Sequence, residues 1–158
     1  MAFGEPLDVI QLNTIAEPAL APEEVLVSMG AASLNPSDFL LVRGMYAVRP
    51  PLSFSLGAEG VGRVTKTGPK VGTALLGKRV VIVPNYEQGS WSDEVVVPAR
   101  NTVPVDAEAD PLQLAMIGIN PAIACLLHQV LRRDNDVGRV AAGSRRGVSY
   151  RRDRLHRT

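Results

Sequence analysis

Short apolar runs alternate with turns rich in glycine and proline through the first 105 residues. Each run is four to nine residues long, and the residues between the runs are those that favour reverse turns. Short strands at this spacing are typical of a β-barrel or a β-sandwich. The runs predicted as strands are Val9–Leu12, Val25–Ala32, Leu56–Val64, Arg79–Val83, Trp91–Val97 and Thr102–Val105.

Three helices are predicted where Asn or Asp is followed directly by proline. A side chain of this kind caps a helix start, and proline fits the first helical position because its missing N–H would be unpaired there. Arg43-Gly44 is a typical helix end. The predicted helices cover residues 36–43 after Asn35, 111–117 after Asp110, and 121–131 after Asn120.

Charge divides the chain into two parts. The net charge is +1, but residues 1–131 hold 8 basic and 13 acidic residues, a net charge of −5. Residues 132–158 hold nine Arg and three Asp, a net charge of +6, and show no sustained apolar period. Such composition is typical of disorder. We therefore predict one folded domain over residues 1–131 and a basic, disordered tail over residues 132–158.

Two interpretations of this tail remain open. A basic arm would bind nucleic acid or an acidic membrane through charge alone, with strong salt dependence. Alternatively, an Arg-rich segment without apolar period is what a shifted reading frame in a GC-rich gene produces, and the tail then has no function.

Composition excludes several classes of protein. With 46% hydrophobic and 21% charged residues the chain is globular, and its 158 residues suffice for one domain with a core. Cys125 is the only cysteine, so no intrachain disulfide can form, which favours a reducing compartment. No apolar run is long enough to span a membrane, and residues 1–10 lack the pattern of a signal or transit peptide. We expect a cytoplasmic rather than a mitochondrial protein.

Five segments between residues 31 and 127 carry a family resemblance. They occur in the order found in the medium-chain dehydrogenase/reductase superfamily, and are most similar to its zinc-free quinone oxidoreductase and mitochondrial-type 2-enoyl thioester reductase branch. The segments are AASLNPSDFLLVRGMY, LGAEGVGRVTKTG, GKRVVIV, GSWSDEVVVPARNTVPV and LAMIGINPAIACLL.

The resemblance implies a mainly β fold with a few helices, the GroES-like, partly open β-barrel that forms the catalytic wall in this family. In full-length relatives a Rossmann domain follows and binds NADPH. Residues 132–158 lack the glycine-rich fingerprint of that domain, so we expect it to be absent. Relatives also have one more strand at the start, so we expect a truncated first domain with an unpaired barrel edge near Val9–Leu12.

The same resemblance implies the site residues. Tyr46 would be catalytic, Asn120 and Pro121 would contact the nicotinamide end of NADPH, and Asn35 and Trp91 would line the substrate pocket. Each residue also has a plain structural alternative: Tyr46 and Trp91 as packing residues and Asn35 as a helix cap alone. Ile123 replaces a threonine of the family motif, which removes a hydroxyl from the cofactor side, and Cys125 is predicted to be a small buried residue.

No metal is expected. Zinc-dependent members of the superfamily carry a cysteine near Asn35, a histidine at Ala58 and a thiol near Asn120, whereas Asn and Ala supply no thiolate or imidazole. Two carboxylates in these segments are interpreted as structural. Asp38 is predicted as a surface or first-turn residue, and Glu59, on an apolar segment, requires a partner such as Arg63 or a backbone donor.

The implied function is reduction, with NADPH, of a C=C bond conjugated to a carbonyl in an enoyl thioester or a quinone. We expect this chain alone to be inactive. Family members dimerise largely through the missing domain, so a monomer prone to aggregation is expected here. A GroES-like domain with a nucleic-acid- or membrane-binding arm, and a non-functional frameshift product, are the alternatives.

Overall fold

The computed structural model describes residues 2–16, 18–84, 89–105 and 108–142, the last ten of these by their backbone only. The chain divides into two compact units, residues 1–121 and residues 122–158. The first unit holds the whole β-sheet.

Five antiparallel strands form a single sheet within the described residues. Their order is β4-β1-β2-β3-β5, and each strand pairs only with its neighbours in that order. The strands are β1 (Glu24–Ala32), β2 (Gly60–Thr67), β3 (Arg79–Ile82), β4 (Glu94–Pro98) and β5 (Thr102–Pro104). A mainly β fold is thereby confirmed.

The sheet curls toward a barrel without closing. β4 and β5 lie at opposite edges of the sheet, yet only the 3₁₀ turn Ala99–Asn101 separates them along the chain. Because three residues span a short distance, the two edges must approach each other. Register shifts in β1 after Leu26 and Met29 add the bends that such curvature requires. The described strands β4 and β5 do not pair with each other, so this is a partly open barrel.

The glycines of the second strand allow β1 to approach closely. A Cβ atom on Gly60 would lie 2.7 Å from the carbonyl oxygen of Ala31, a distance that any side chain would have to relieve by moving the strands apart. Glycine in this run therefore serves close backbone approach, as its sequence pattern predicts.

Aliphatic side chains fill the barrel. Because aromatic residues are only 4% of the chain, β-branched residues supply the buried area. They project from one face of neighbouring strands, where side chains at alternate positions meet. The main buried cluster consists of Val25, Val27, Val64, Val80, Ile82, Val95 and Val97.

The part of the chain that the structure describes contains four α-helices. They are α1 (Pro6–Val9), α2 (Pro36–Val42), α3 (Pro111–Leu114) and α4 (Asn120–Ala142). The end of α2 is a Schellman motif, because Gly44 N–H donates to Leu41 O and Met45 N–H donates to Leu40 O. Gly44 has a φ of 68°, which glycine adopts at little cost.

Several predicted elements differ from the structure. The predicted strand Val9–Leu12 is wrong: Val9 ends α1, residues 10–12 are not in a strand, and the sheet edges are β4 and β5 instead. The strand predicted from Leu56 begins at Gly60, because Gly57 has a φ of 101° and bends the chain.

The helix predictions differ mainly at their ends. α3 stops at Leu114, and α4 continues past residue 131 to Ala142. Residues 132–142, the first part of the predicted tail, thus lie in α4; they contain no proline and include good helix formers such as Arg132 and Ala141. The rest of the predicted tail lies outside the described residues. Cys125, predicted to be buried, is exposed.

Candidate functional site

A buried carboxylate, Glu59, joins three separate segments of the first unit. Its side chain is 0% exposed and lies just before β2. Oε1 accepts hydrogen bonds from Ser33 Oγ at 2.9 Å and from Asn35 Nδ2 at 3.1 Å, and Oε2 accepts from the backbone N–H of Ile119 at 2.9 Å. We call Glu59, Ser33, Asn35 and the Ile119 N–H the Glu59 cluster.

The prediction that Glu59 requires a partner such as Arg63 or a backbone donor is met by the backbone donor. A backbone donor is present at Ile119, but Arg63 does not pair with this carboxylate. Instead, the Arg63 guanidinium donates to the carbonyl oxygen of Gly77 at 2.6 Å. Neutral donors thus satisfy both oxygens of Glu59, as a buried polar group requires.

Asn35 connects the cluster to the start of α2. It occupies the N-cap position, while its Nδ2 also donates to Ser33 Oγ at 3.0 Å. Its backbone N–H donates to Asp38 Oδ2 at 2.8 Å, one half of a capping box. Asn35 therefore does more than cap the helix, because its side chain fixes Ser33 and Glu59 as well.

Asp38 is the second buried carboxylate at this end of the sheet. It lies in the first turn of α2, as predicted, but it is only 4% exposed, so the predicted surface position was wrong. Burial raises the pKa of its carboxyl group; the hydrogen bond from Asn35 lowers it, and the nearby Glu59 raises it further.

The Gly-Ser-Trp loop closes over the same cluster. Trp91 Nε1 donates to the carbonyl oxygen of Ser33 at 2.9 Å, and its ring packs against Phe39 of α2 with a centroid distance of 6.3 Å. Ser90 Oγ donates to the carbonyl oxygen of Glu59 at 2.9 Å. Gly57 faces this loop, and a Cβ atom on it would lie 2.5 Å from the Trp91 ring, so only glycine fits there.

The turn before α4 is held from the barrel side. Gly118 precedes Ile119, and a Cβ atom on Gly118 would lie 2.9 Å from Glu59 Oε2 and 3.1 Å from Pro84 Cδ. Asn120 then begins the 23-residue helix α4, whose N-terminal end carries a partial positive charge.

Tyr46 lies at the other end of α2. It is half-buried and comes two residues after Gly44. The Schellman motif at the end of α2 therefore sets the position of its backbone. The Glu59 cluster and its attached loop thus bring together Asn35, Trp91 and the residue before Asn120, while Tyr46 is linked to them through α2.

Asn120 and Pro121, which the family resemblance assigns to the nicotinamide end of NADPH, lie at the start of α4 and are exposed. Among the described residues, no strand, glycine-rich turn and helix follow one another in the way that cradles a pyrophosphate. The same described part of the chain contains no group of three His, Cys, Asp or Glu residues placed to hold a metal ion.

Comparison with known proteins decides the family. The sequence profile of the alcohol dehydrogenase GroES-like domain matches residues 21–107, more than half of the chain. The chain belongs to the alcohol dehydrogenase GroES-like family. The resemblance to the medium-chain dehydrogenase/reductase superfamily is thereby confirmed.

Curated relatives of this GroES-like chain include mitochondrial enoyl reductases. The mitochondrial enoyl-[acyl-carrier-protein] reductase of Xenopus tropicalis is 37% identical over 121 residues, which cover 77% of this chain and 34% of the relative. The chain therefore spans about a third of the length of the curated relatives it matches.

Solved structures agree with this assignment. A Bacillus thuringiensis protein assigned as an NADPH:quinone reductase is 38% identical, with a TM-score of 0.72, over 78% of this chain and 37% of that protein. The Escherichia coli quinone oxidoreductase, solved with NADPH, is 27% identical, with a TM-score of 0.65, over 73% of this chain and 35% of that protein.

Sequence reasoning missed three members of the GroES-like site. Ser33, Gly118 and the Ile119 N–H were not singled out, although each lies within two residues of one that was. A backbone donor leaves no side-chain signal, and Ser33 reads as an ordinary turn residue. The glycine two residues before an Asn-Pro helix start was the one visible sign of a crowded turn.

The described helices are too short or too polar to cross a membrane.

Proposed function

We propose that this chain supplies the substrate-facing wall and the nicotinamide-facing turn of an NADPH-dependent oxidoreductase. Its substrate would be a C=C bond conjugated to a carbonyl, as in an enoyl thioester, with a quinone as the other member of the class. The observation that carries the proposal is the Glu59 cluster, because it joins the segments of Asn35 and Asn120 and is closed by Trp91. The relatives named as enoyl reductases and quinone oxidoreductases support the reaction class.

In this proposal Tyr46 acts on the substrate oxygen. When bound, NADPH would supply the hydride for the β-carbon of the conjugated system. Negative charge then develops on the carbonyl oxygen, and the Tyr46 hydroxyl donates a hydrogen bond or a proton to it. Asn35 and Trp91 would bound the pocket in which that oxygen lies.

Asn120 and Pro121 would position the nicotinamide end of NADPH. Because the described residues offer no cradle for a pyrophosphate, we propose that the 158-residue chain binds NADPH weakly and is inactive alone. A fluorescence titration checks this statement, and a dissociation constant in the low micromolar range contradicts it.

A chimera tests the proposed reaction. Residues 1–121 are joined to the cofactor domain of a quinone oxidoreductase relative, and oxidation of NADPH is followed with a short enoyl thioester and with a quinone. Oxidation coupled to reduction of the C=C bond supports the proposal. A folded chimera that binds NADPH and reduces neither substrate refutes it.

A further inference from the structure

We infer that Glu59 is the positioning residue for the Asn120–Pro121 turn, and that it holds this turn in the place where the nicotinamide is received. The inference rests on the proposed function, and adds to it a residue that does not itself touch the substrate or the cofactor. Glu59 acts through the backbone of Ile119, the residue directly before Asn120.

The donors around Glu59 require a carboxylate rather than an amide. Ser33 and Asn35 donate to one oxygen, and Ile119 donates to the other. A glutamine has one oxygen and one NH₂ group, so its NH₂ would face either the Ile119 N–H or the side of Asn35 Nδ2 and Ser33 Oγ, where only the serine hydroxyl could turn to accept. In the observed arrangement a carboxylate accepts on both sides.

The surroundings of Gly118 make the contact with Glu59 specific. A Cβ atom at Gly118 would lie 2.9 Å from Glu59 Oε2, and the carbonyl oxygen of Ile82 is only 3.2 Å from the same point. The turn thus lies directly against the carboxylate and against the end of β3. Movement of the Glu59 side chain therefore passes directly to the backbone that precedes α4.

The other side of the cluster is anchored in the barrel by hydrogen bonds. Ser33 is held by the Trp91 indole through its carbonyl oxygen, and Asn35 is the N-cap of α2. Glu59 is thus fixed on Oε1 by side chains of the barrel and uses Oε2 for the turn. A misplacement of a reacting group by about 1 Å can lower a rate about a hundredfold, so such a link matters for hydride transfer.

Amide hydrogen exchange on the 158-residue chain tests the link. Glu59→Gln is compared with wild type and with Glu94→Gln, which removes a charge from an exposed position on β4. The reporter in the core is the Val64 N–H, which donates to Lys78 O. We expect exchange at Ile119 to be faster by about tenfold or more in Glu59→Gln, with Val64 unchanged. Equal acceleration at both amides indicates a general loss of stability and overturns the inference.

If Glu59→Gln does not fold, Gly118→Ala provides the same comparison, because its methyl group displaces Glu59 Oε2 from the backbone side. Selective loss of protection at Ile119 then supports the inference, and loss shared with Val64 overturns it.

Reduced nicotinamide mononucleotide tests the relation to the cofactor. This probe carries the nicotinamide without the pyrophosphate link, and its binding is followed through the side-chain amide resonances of Asn120. We expect these resonances to shift in wild type and in Glu94→Gln, and to shift at least about threefold less in Glu59→Gln at equal probe concentration. Equal shifts in wild type and Glu59→Gln overturn the inference. If the Ile119 amide is protected in wild type but the Asn120 resonances do not respond to the probe, the turn does not bind a nicotinamide. This result contradicts the nicotinamide assignment in the proposed function and overturns the inference as well.

Discussion

The main buried cluster of aliphatic side chains, here called the core, and the Glu59 cluster are both buried parts of one barrel. They are stabilised by different interactions. The core consists of seven aliphatic side chains whose contribution scales with the area removed from water. The Glu59 cluster contributes little apolar area, and each of its hydrogen bonds joins a particular donor to a particular oxygen. The stability of the core therefore depends on the volume of its side chains. The stability of the cluster depends on whether particular atoms are hydrogen-bond donors or acceptors.

This difference predicts opposite responses to substitutions that conserve volume. A core accepts one apolar side chain for another of similar size at low cost. A buried polar cluster loses a full partner when a donor becomes an acceptor, even when the shape does not change.

The largest expected effect comes from Asn35→Asp. This change replaces the Nδ2 donor with an oxygen and places a third carboxylate beside Glu59 and Asp38, so we expect the free energy of unfolding to fall by about 2–4 kcal/mol at neutral pH. Urea denaturation measures the change. The matched core variant is Ile82→Leu, which conserves volume within the seven-residue core and should cost less than about 1.5 kcal/mol. Equal costs for the two variants would remove the distinction between the regions.

A smaller effect is expected from a single methyl group at Gly118. In Gly118→Ala the new Cβ meets Glu59, Pro84 and the carbonyl oxygen of Ile82, so the free energy of unfolding should fall by about 1–3 kcal/mol. Gly30→Ala on β1 is the control, because the nearest atom to its added Cβ, the carbonyl oxygen of Val61, lies at 3.5 Å, an ordinary contact distance. That variant should be neutral or more stable by up to about 1 kcal/mol, since alanine reduces the entropy of the unfolded chain. A tolerated alanine at Gly118 would mean that the turn is free to move.

The smallest effect concerns the pH dependence at Asp38. Its pKa is raised mainly by burial, so the folded state binds the proton more tightly than the unfolded state does. The stability from this group is therefore complete at low pH and is lost as the pH rises from the ordinary pKa of Asp through the raised one. Asp38→Asn retains an acceptor for the Asn35 N–H and removes the titration.

Urea midpoints measured from about pH 3 to pH 7 test this sign. Wild type should lose stability relative to Asp38→Asn as the pH rises through that window, with no further change above it. Asp93→Asn, at an exposed position, is the control. A wild type that gains stability relative to Asp38→Asn over the same window would show that the hydrogen bond from Asn35 outweighs burial.

The two regions also differ in how far the sequence predicts them. The core follows from apolar runs at strand spacing, so Val25–Ala32 and Arg79–Val83 were placed within one residue of the observed strands. The cap at Asn35 and the helix end at Gly44 were predicted correctly because each has a local steric cause. Strands with a repeating apolar pattern, and caps whose contacts lie within one helical turn, can therefore be predicted from the sequence alone.

The contacts of the Glu59 cluster could not be predicted in the same way. Glu59 and Ile119 are 60 residues apart, and the donor is a backbone group that every residue except proline carries. Arg63 was named as one possible partner, beside a backbone donor, because it lies nearby in the sequence, but in β2 its exposed guanidinium reaches Gly77 instead. The false strand at Val9–Leu12 has a related cause, because a four-residue apolar run does not distinguish a strand from a turn of helix.

The claim that this wall reduces an activated double bond is tested most directly at Tyr46. In the chimera that carries a cofactor domain, turnover of an enoyl thioester is measured for wild type and Tyr46→Phe, with circular dichroism to confirm equal folding. The hydroxyl acts on charge that develops in the transition state, so turnover should fall by about a hundred- to a thousandfold with little change in the Michaelis constant. A Tyr46→Phe chimera with wild-type turnover would contradict the account and would leave Tyr46 as a packing residue of the pocket.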